Sequence, residues 1–186
     1  MGKVSTEGVQ VVILCEDQQQ ECFIQRFLNL RKCTMRRLYV RKAPPGRGSA
    51  EQFVREELSR ELKAYRSQSS RCSTCLIVGT DADNLSVQER MESLMRACTD
   101  GGVPFREKDE QVCFMIPKRN IETWLAYLRG EAVDEETVYS KYPCPSDCQR
   151  DVERLDEMCR QQKLRPDPPP SLARACEEFR HLQLRH

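Results

Sequence analysis

Three apolar runs constrain this chain more than any other feature: VQVVILC at residues 9–15, CLIVG at 75–79 and VCFMIP at 112–117. None alternates apolar with polar residues. Each therefore reads as a strand buried on both faces, as in parallel sheets sandwiched between helices. The segments between them carry helical spacing. Phe23, Phe27 and Leu30 recur in QQQECFIQRFLNLR, and Phe53, Leu58, Leu62 and Tyr65 follow a cap at Ser49. Val87, Met91, Leu94, Met95 and Cys98 line a helix that Ser86 opens and Gly101-Gly102 ends. NIETWLAYL places Ile121, Trp124, Leu125 and Leu128 on one stripe. TMRRLYVRK reads as a further strand, and APPGRGSA as a loop. The order β-α-β-α-β-α-β-α predicts an α/β fold with a mainly parallel central sheet and helices on both faces.

Beyond Gly130 the pattern breaks at Pro143, Pro145 and the PDPPP run. Residues 1–130 thus read as the α/β domain. Residues 131–186 read as a Pro-interrupted helical appendage packed on it, with short helices around 152–159 and 172–182. Basic and acidic residues nearly cancel, 30 against 29 in 186 residues, so a nucleic-acid surface would have to be a local patch. No apolar run approaches the roughly 18–20 residues of a membrane span. The N-terminus, MGKVSTEG, lacks the apolar core of a secretion signal, so the expectation is a cytoplasmic protein with no membrane partner. In that compartment the eleven cysteines are expected as thiols. Cys15, Cys22, Cys98, Cys113 and Cys176 fall where small hydrophobes belong. Cys72 with Cys75, and Cys144 with Cys148, have spacings that zinc could use, but the pairs are far apart in sequence. Both histidines, His181 and His186, lie in the tail, which argues against a His-based hydrolase.

Charge then appears where two buried strands end. Glu16 and Asp17 close the first, and Asp81 and Asp83 follow CLIVGT. Ligands of open α/β sheets bind outside the carboxyl ends of the strands. If these two strands are neighbours, their carboxylates converge, and such a cluster is costly without a counter-cation. Oxygen-only donors suit Mg²⁺ (or Mn²⁺). Each acid also has a simpler role open to it: Asp17 as a helix cap, Asp83 as a turn residue, Glu122 as a first-turn acid favoured by the helix dipole.

A Glu closing the first strand and a DxD closing a later one resemble the Toprim domain of topoisomerases, primases and small nucleases. The resemblance rests on Glu16 in ILCEDQQQE and on Asp81 and Asp83 in LIVGTDAD, and covers roughly residues 9–128. The family's usual Gly after that Glu is Asp17 here. IPKRNIETWLAYL is similar to Toprim-like relatives of the OLD-type nucleases, which work beside an ATPase in antiphage defence; SLARACEEFRHL is similar to their closing helix. The resemblance implies phosphoryl transfer on DNA or RNA, with Glu16, Asp81 and Asp83 as metal ligands and Glu16 also as candidate base. It adds Glu122 as a further acid and an ATPase as a partner. Lys118 or Arg119 would offset charge on the phosphate. Arg36, Arg37, Arg41, Lys42 and Arg47 form a local positive excess for salt-sensitive phosphate contact, or else the wet face of an edge strand. In 186 residues neither a topoisomerase's tyrosine domain nor a primase's template module is expected, so the expectation is a compact nuclease. A missing extended platform points to a partner or a homodimer. Two other readings stay open: a non-catalytic module binding nucleic acid or a partner, and a hydrolase of small phosphoesters.

Overall fold

Every residue of β1 (Val9–Cys15), β3 (Thr74–Gly79) and β4 (Val112–Met115) is buried, whereas β2 (Met35–Lys42) is largely exposed. These four strands form one all-parallel sheet in the order β2-β1-β3-β4, so the two strands that lead to the acidic turns are central neighbours. The structure, a computed structural model, describes residues 8–182 apart from 32, 34 and 47. Its helices are α1 (Gln18–Leu30), α2 (Ala50–Ser69), α3 (Val87–Asp100), α4 (Ile121–Arg129), α5 (Gln149–Arg160) and α6 (Pro170–His181). One 3-10 turn, Pro145–Cys148, leads into α5.

Strand parity sorts the core into two layers. Val11, Ile13 and Cys15, with Cys75, Ile77, Cys113 and Met115, face a layer built from α1, α4, α5 and α6. Val12 and Leu14, with Leu76, Val78, Val112 and Phe114, face α2 and α3. Unalternating apolar runs are thus the direct consequence of helices on both faces. Burial pushes the thiols of Cys15, Cys75 and Cys113 up, so these three act as small apolar fillers on a single face.

Local sequence sets the helix ends. Asp17 accepts from Gln20 N at 2.9 Å and caps α1. Ser49 caps α2, and Ser86 with Glu89 forms a capping box on α3. Gly130, at φ 106°, takes the left-handed cap of α4 and turns the chain into the C-terminal segment. That segment brings no separate core. Trp124 Nε1 donates to Ser171 Oγ at 2.8 Å, and the rings of Phe27 and Phe179 lie 4.4 Å apart. Among the described residues no helix is long and apolar enough to cross a membrane.

The segment also closes a sheet edge. Among the described residues β4 pairs only with β3, so one side of its backbone needs partners. Glu178 of α6 accepts from Phe114 N at 3.0 Å and is clasped by both terminal nitrogens of Arg106, which in turn donates to Val112 O at 2.9 Å. One ion pair therefore serves as a substitute strand. Glu178→Ala leaves a backbone N–H and a half-buried guanidinium without their acceptor. We expect a loss of about 2–4 kcal/mol, read as a lower urea midpoint at unchanged slope; an unshifted midpoint would show that water replaces the carboxylate at no cost.

Candidate functional site

Parallel register carries the two acidic turns together. Leu14 pairs with Val78, so two residues later Glu16 stands beside Thr80 and Asp81. Asp81 N donates to Glu16 Oε1 at 2.8 Å, and Thr80 Oγ1 donates to the same oxygen. Gln20, buried in the first turn of α1, completes the link. Its Oε1 accepts from Glu16 N at 3.0 Å, and its Nε2 donates to Asp81 Oδ1 at 2.9 Å. Gly79 makes room for that amide, since a Cβ there would meet Gln20 Oε1 at 3.0 Å.

Further acids crowd the pair. Burial, opposed by the Thr80 and Asp81 donors and reinforced by Asp83 and Asp17, raises the Glu16 carboxyl to about 7. Asp81 is raised well above the ordinary carboxylate range by burial first, then by the charges of Glu16, Asp17 and Glu122. Glu122 itself, in the first turn of α4, is raised by burial and by Asp17, with Lys141 acting against them. The rim thus disfavours ionisation of all three carboxyls, by burial first and by neighbouring acids second.

Asp83 stands apart. It takes a left-handed turn conformation at φ 53°, its side chain is exposed, and Arg90 Nη2 lies 3.4 Å away. Arg90 is the residue that fixes this loop. Buried on α3, it pairs with Glu51 at 2.5 Å and donates to the carbonyl of Asp81 at 3.0 Å. Sequence reading passed over both Gln20 and Arg90, although each carries a visible signal. Gln20 precedes Phe23, Ile24 and Phe27, and Arg90 follows Val87, at spacings that put a polar residue on the core-facing stripe.

The predicted cations divide between two ends of the sheet. Arg41 and Lys42 pair with Leu14 and Cys15 and so lie at the carboxyl rim. Lys42 is held by Glu21 at 2.7 Å and by Gln18, and Arg41 by Glu61 at 3.2 Å. Arg36 and Arg37 lie at the opposite end, lining a cleft of about 150 Å³ with Gln10, Cys72 and Ser73. Arg47 lies outside the described residues. Lys118 pairs with Glu136 at 3.2 Å, and Arg119 bonds Asn84, tying the turn after β4 to the turn after β3.

Among the described residues no group of three or more His, Cys, Asp or Glu side chains is placed to hold a metal ion. What converges is a pair, Glu16 and Asp81, whose Oε2 and Oδ2 take no protein donor among the described residues. Hard oxygen donors of this kind fit Mg²⁺, which needs only one or two carboxylates beside water and phosphate. A scan of protein-family models finds no match for this chain, and a search of curated proteins finds none either.

The raised carboxyls give the site a pH signature. Glu16 moves from 4.5 unfolded to about 7 folded, so its contribution to stability is complete below about pH 4.5 and lost as pH rises through 7. Asp81 acts in the same sense. In EDTA the urea midpoint should therefore fall between pH 5 and pH 8, the Glu16 share amounting to about 1–3 kcal/mol. Glu16→Gln should remove much of that slope; a flat wild-type profile contradicts the electrostatic account.

Proposed function

We propose that the protein is a Toprim-like nuclease, dependent on Mg²⁺ or Mn²⁺, that hydrolyses phosphodiesters of DNA or RNA in the manner of the OLD-type relatives, beside an ATPase partner. One observation carries the reading. Glu16 and Asp81, from neighbouring parallel strands, meet at the carboxyl rim with both carboxyls raised above the ordinary range by burial and by neighbouring acids. A divalent ion, when bound between them, supplies Lewis acidity toward a phosphate oxygen and a more acidic water.

The chain's own residues would do the rest. Glu16 Oε1 is fixed by the Thr80 hydroxyl and the Asp81 amide, which leaves Oε2 to bind the cation or to take a proton near neutral pH. Gln20 holds Asp81 Oδ1, which leaves Oδ2 as the oxygen that would bind the cation. Lys118 and Arg119 stand on the adjacent turn, where positive charge offsets that of a phosphate in the transition state. Arg41, largely exposed at the same end of the sheet, extends the cationic path for a strand. Arg36 and Arg37 belong to a different face and are not assigned to this path. Asp83 acts as a turn residue held by Arg90 rather than as a first ligand.

The alternative is a non-catalytic module that binds nucleic acid or a protein partner. It is favoured by the lack, among the described residues, of a third side chain placed to hold a metal ion, and by the use of Glu16 Oε1 as a brace between two loops. One experiment separates the two. Labelled DNA and RNA oligonucleotides are incubated with the protein in Mg²⁺, Mn²⁺ or EDTA. We expect cleavage that EDTA abolishes and that Asp81→Ala lowers by about 10²-fold or more. Retained binding with no turnover under either metal supports the module and sinks the nuclease.

A further inference from the structure

Away from the rim, a cavity of about 450 Å³ opens between α1, α5 and α6. Its wall brings two thiols into contact. Cys159 of α5 and Cys176 of α6 lie with their sulfurs 3.2 Å apart. Cys176 is buried and Cys159 half-buried, with the cavity giving access to both. Three arginines, Arg31, Arg160 and Arg180, line the same space. Asp156 takes the first at 2.8 Å and the second at 2.7 Å, which leaves a net positive wall with Arg180 unpaired among the described residues. No other sulfur–sulfur hydrogen bond occurs among the described residues.

We propose that Cys159 and Cys176 are a redox-active pair that a peroxide oxidises to an intrachain disulfide joining α5 to α6. The two sulfurs play different parts. Cys159 is held below the ordinary thiol range, first by the hydrogen bond with Cys176 and then by Arg31 and Arg180, while that same bond and burial push Cys176 up. Cys159 is thus the attacking thiolate and Cys176 the resolving thiol. The Cys159 sulfur attacks one oxygen of hydrogen peroxide, the O–O bond breaks, and the departing hydroxide leaves as water after taking a proton. The resulting sulfenic acid is attacked by the Cys176 sulfur, which gives up its proton as the S–O bond breaks and a second water leaves. In sum, two thiols and one peroxide give one disulfide and two waters, with two electrons passing from sulfur to oxygen. Closure to bonding distance needs an approach of only about 1 Å.

Three cysteines of the sheet are poorly suited to the same reaction. Cys15, Cys75 and Cys113 are sealed inside the sheet layer with raised thiols. A bridge between α5 and α6 would close the Pro-rich connection at 161–169 and fix α6, the helix that carries Glu178 and Ser171.

The test uses the full chain, reduced and freed of reductant, then treated with stoichiometric hydrogen peroxide. Non-reducing digestion and mass spectrometry should find the peptide linking Cys159 to Cys176 first, with two of the eleven thiols lost. The thermal midpoint should rise, and dithiothreitol should reverse the rise. Cys176→Ser should leave Cys159 trapped as a sulfenic acid that dimedone labels, and Arg180→Ala should slow bridging several-fold. Because the wild-type mass spectrum stands by itself, a serine variant that misfolds does not rescue the idea. Oxidation elsewhere ahead of this pair, or an equal yield of the bridge from urea-unfolded chain, would overturn it.

Discussion

The pairing of β1 with β3 in parallel register is the constraint on which the rest depends. It alone decides that Glu16 stands beside Thr80 and Asp81, because the strand ends are aligned by the ladder that also holds the core. A slip of one residue would invert every side chain between the two helical layers and expose half of an apolar strand. The core and the rim are therefore specified by one and the same set of hydrogen bonds. Neither can change register without the other.

Like charges gathered at such a rim have to be held against their own repulsion, and buried polar side chains from the flanking helices do this. Gln20 spans the two carboxylate turns with a single amide, accepting from one and donating to the other. Arg90 reaches from α3 to the carbonyl of Asp81 and pairs with Asp83 and Glu51 on the way. Both residues sit where a helix would ordinarily place a hydrophobe. Their burial is tolerated because nearly every polar atom finds a partner, as buried donors and acceptors must. Under the proposed function, these two side chains fix the turns that carry the metal-binding carboxylates.

The C-terminal segment is bound to this arrangement more closely than an appendage would be. Phe179 packs at a tilt against Phe27, Trp124 is anchored to Ser171, and Glu178 supplies the acceptor that the edge strand lacks. Helix α6 thus completes both a core layer and the sheet. The thiol contact between α5 and α6 lies in that same layer, so a covalent change there would be felt by the element that closes the edge.

Much of this was legible in the chain itself. Unalternating runs in β1, β3 and β4 determined a parallel sheet covered on both faces, since only that environment hides every residue of a strand. Ser49, Ser86 and Gly130 marked helix ends through local backbone chemistry, and Glu16 and Asp81 were visible as charge placed where buried strands stop. Tertiary structure decided the remainder. The order β2-β1-β3-β4, the turning of Asp83 toward Arg90, the split of Arg36 and Arg37 from Arg41 and Lys42, and the meeting of Cys159 with Cys176 all join residues distant in sequence. Periodicity reports which face a side chain takes on its own element. Which other element lies opposite is set by packing across the whole fold, and there the sequence is silent.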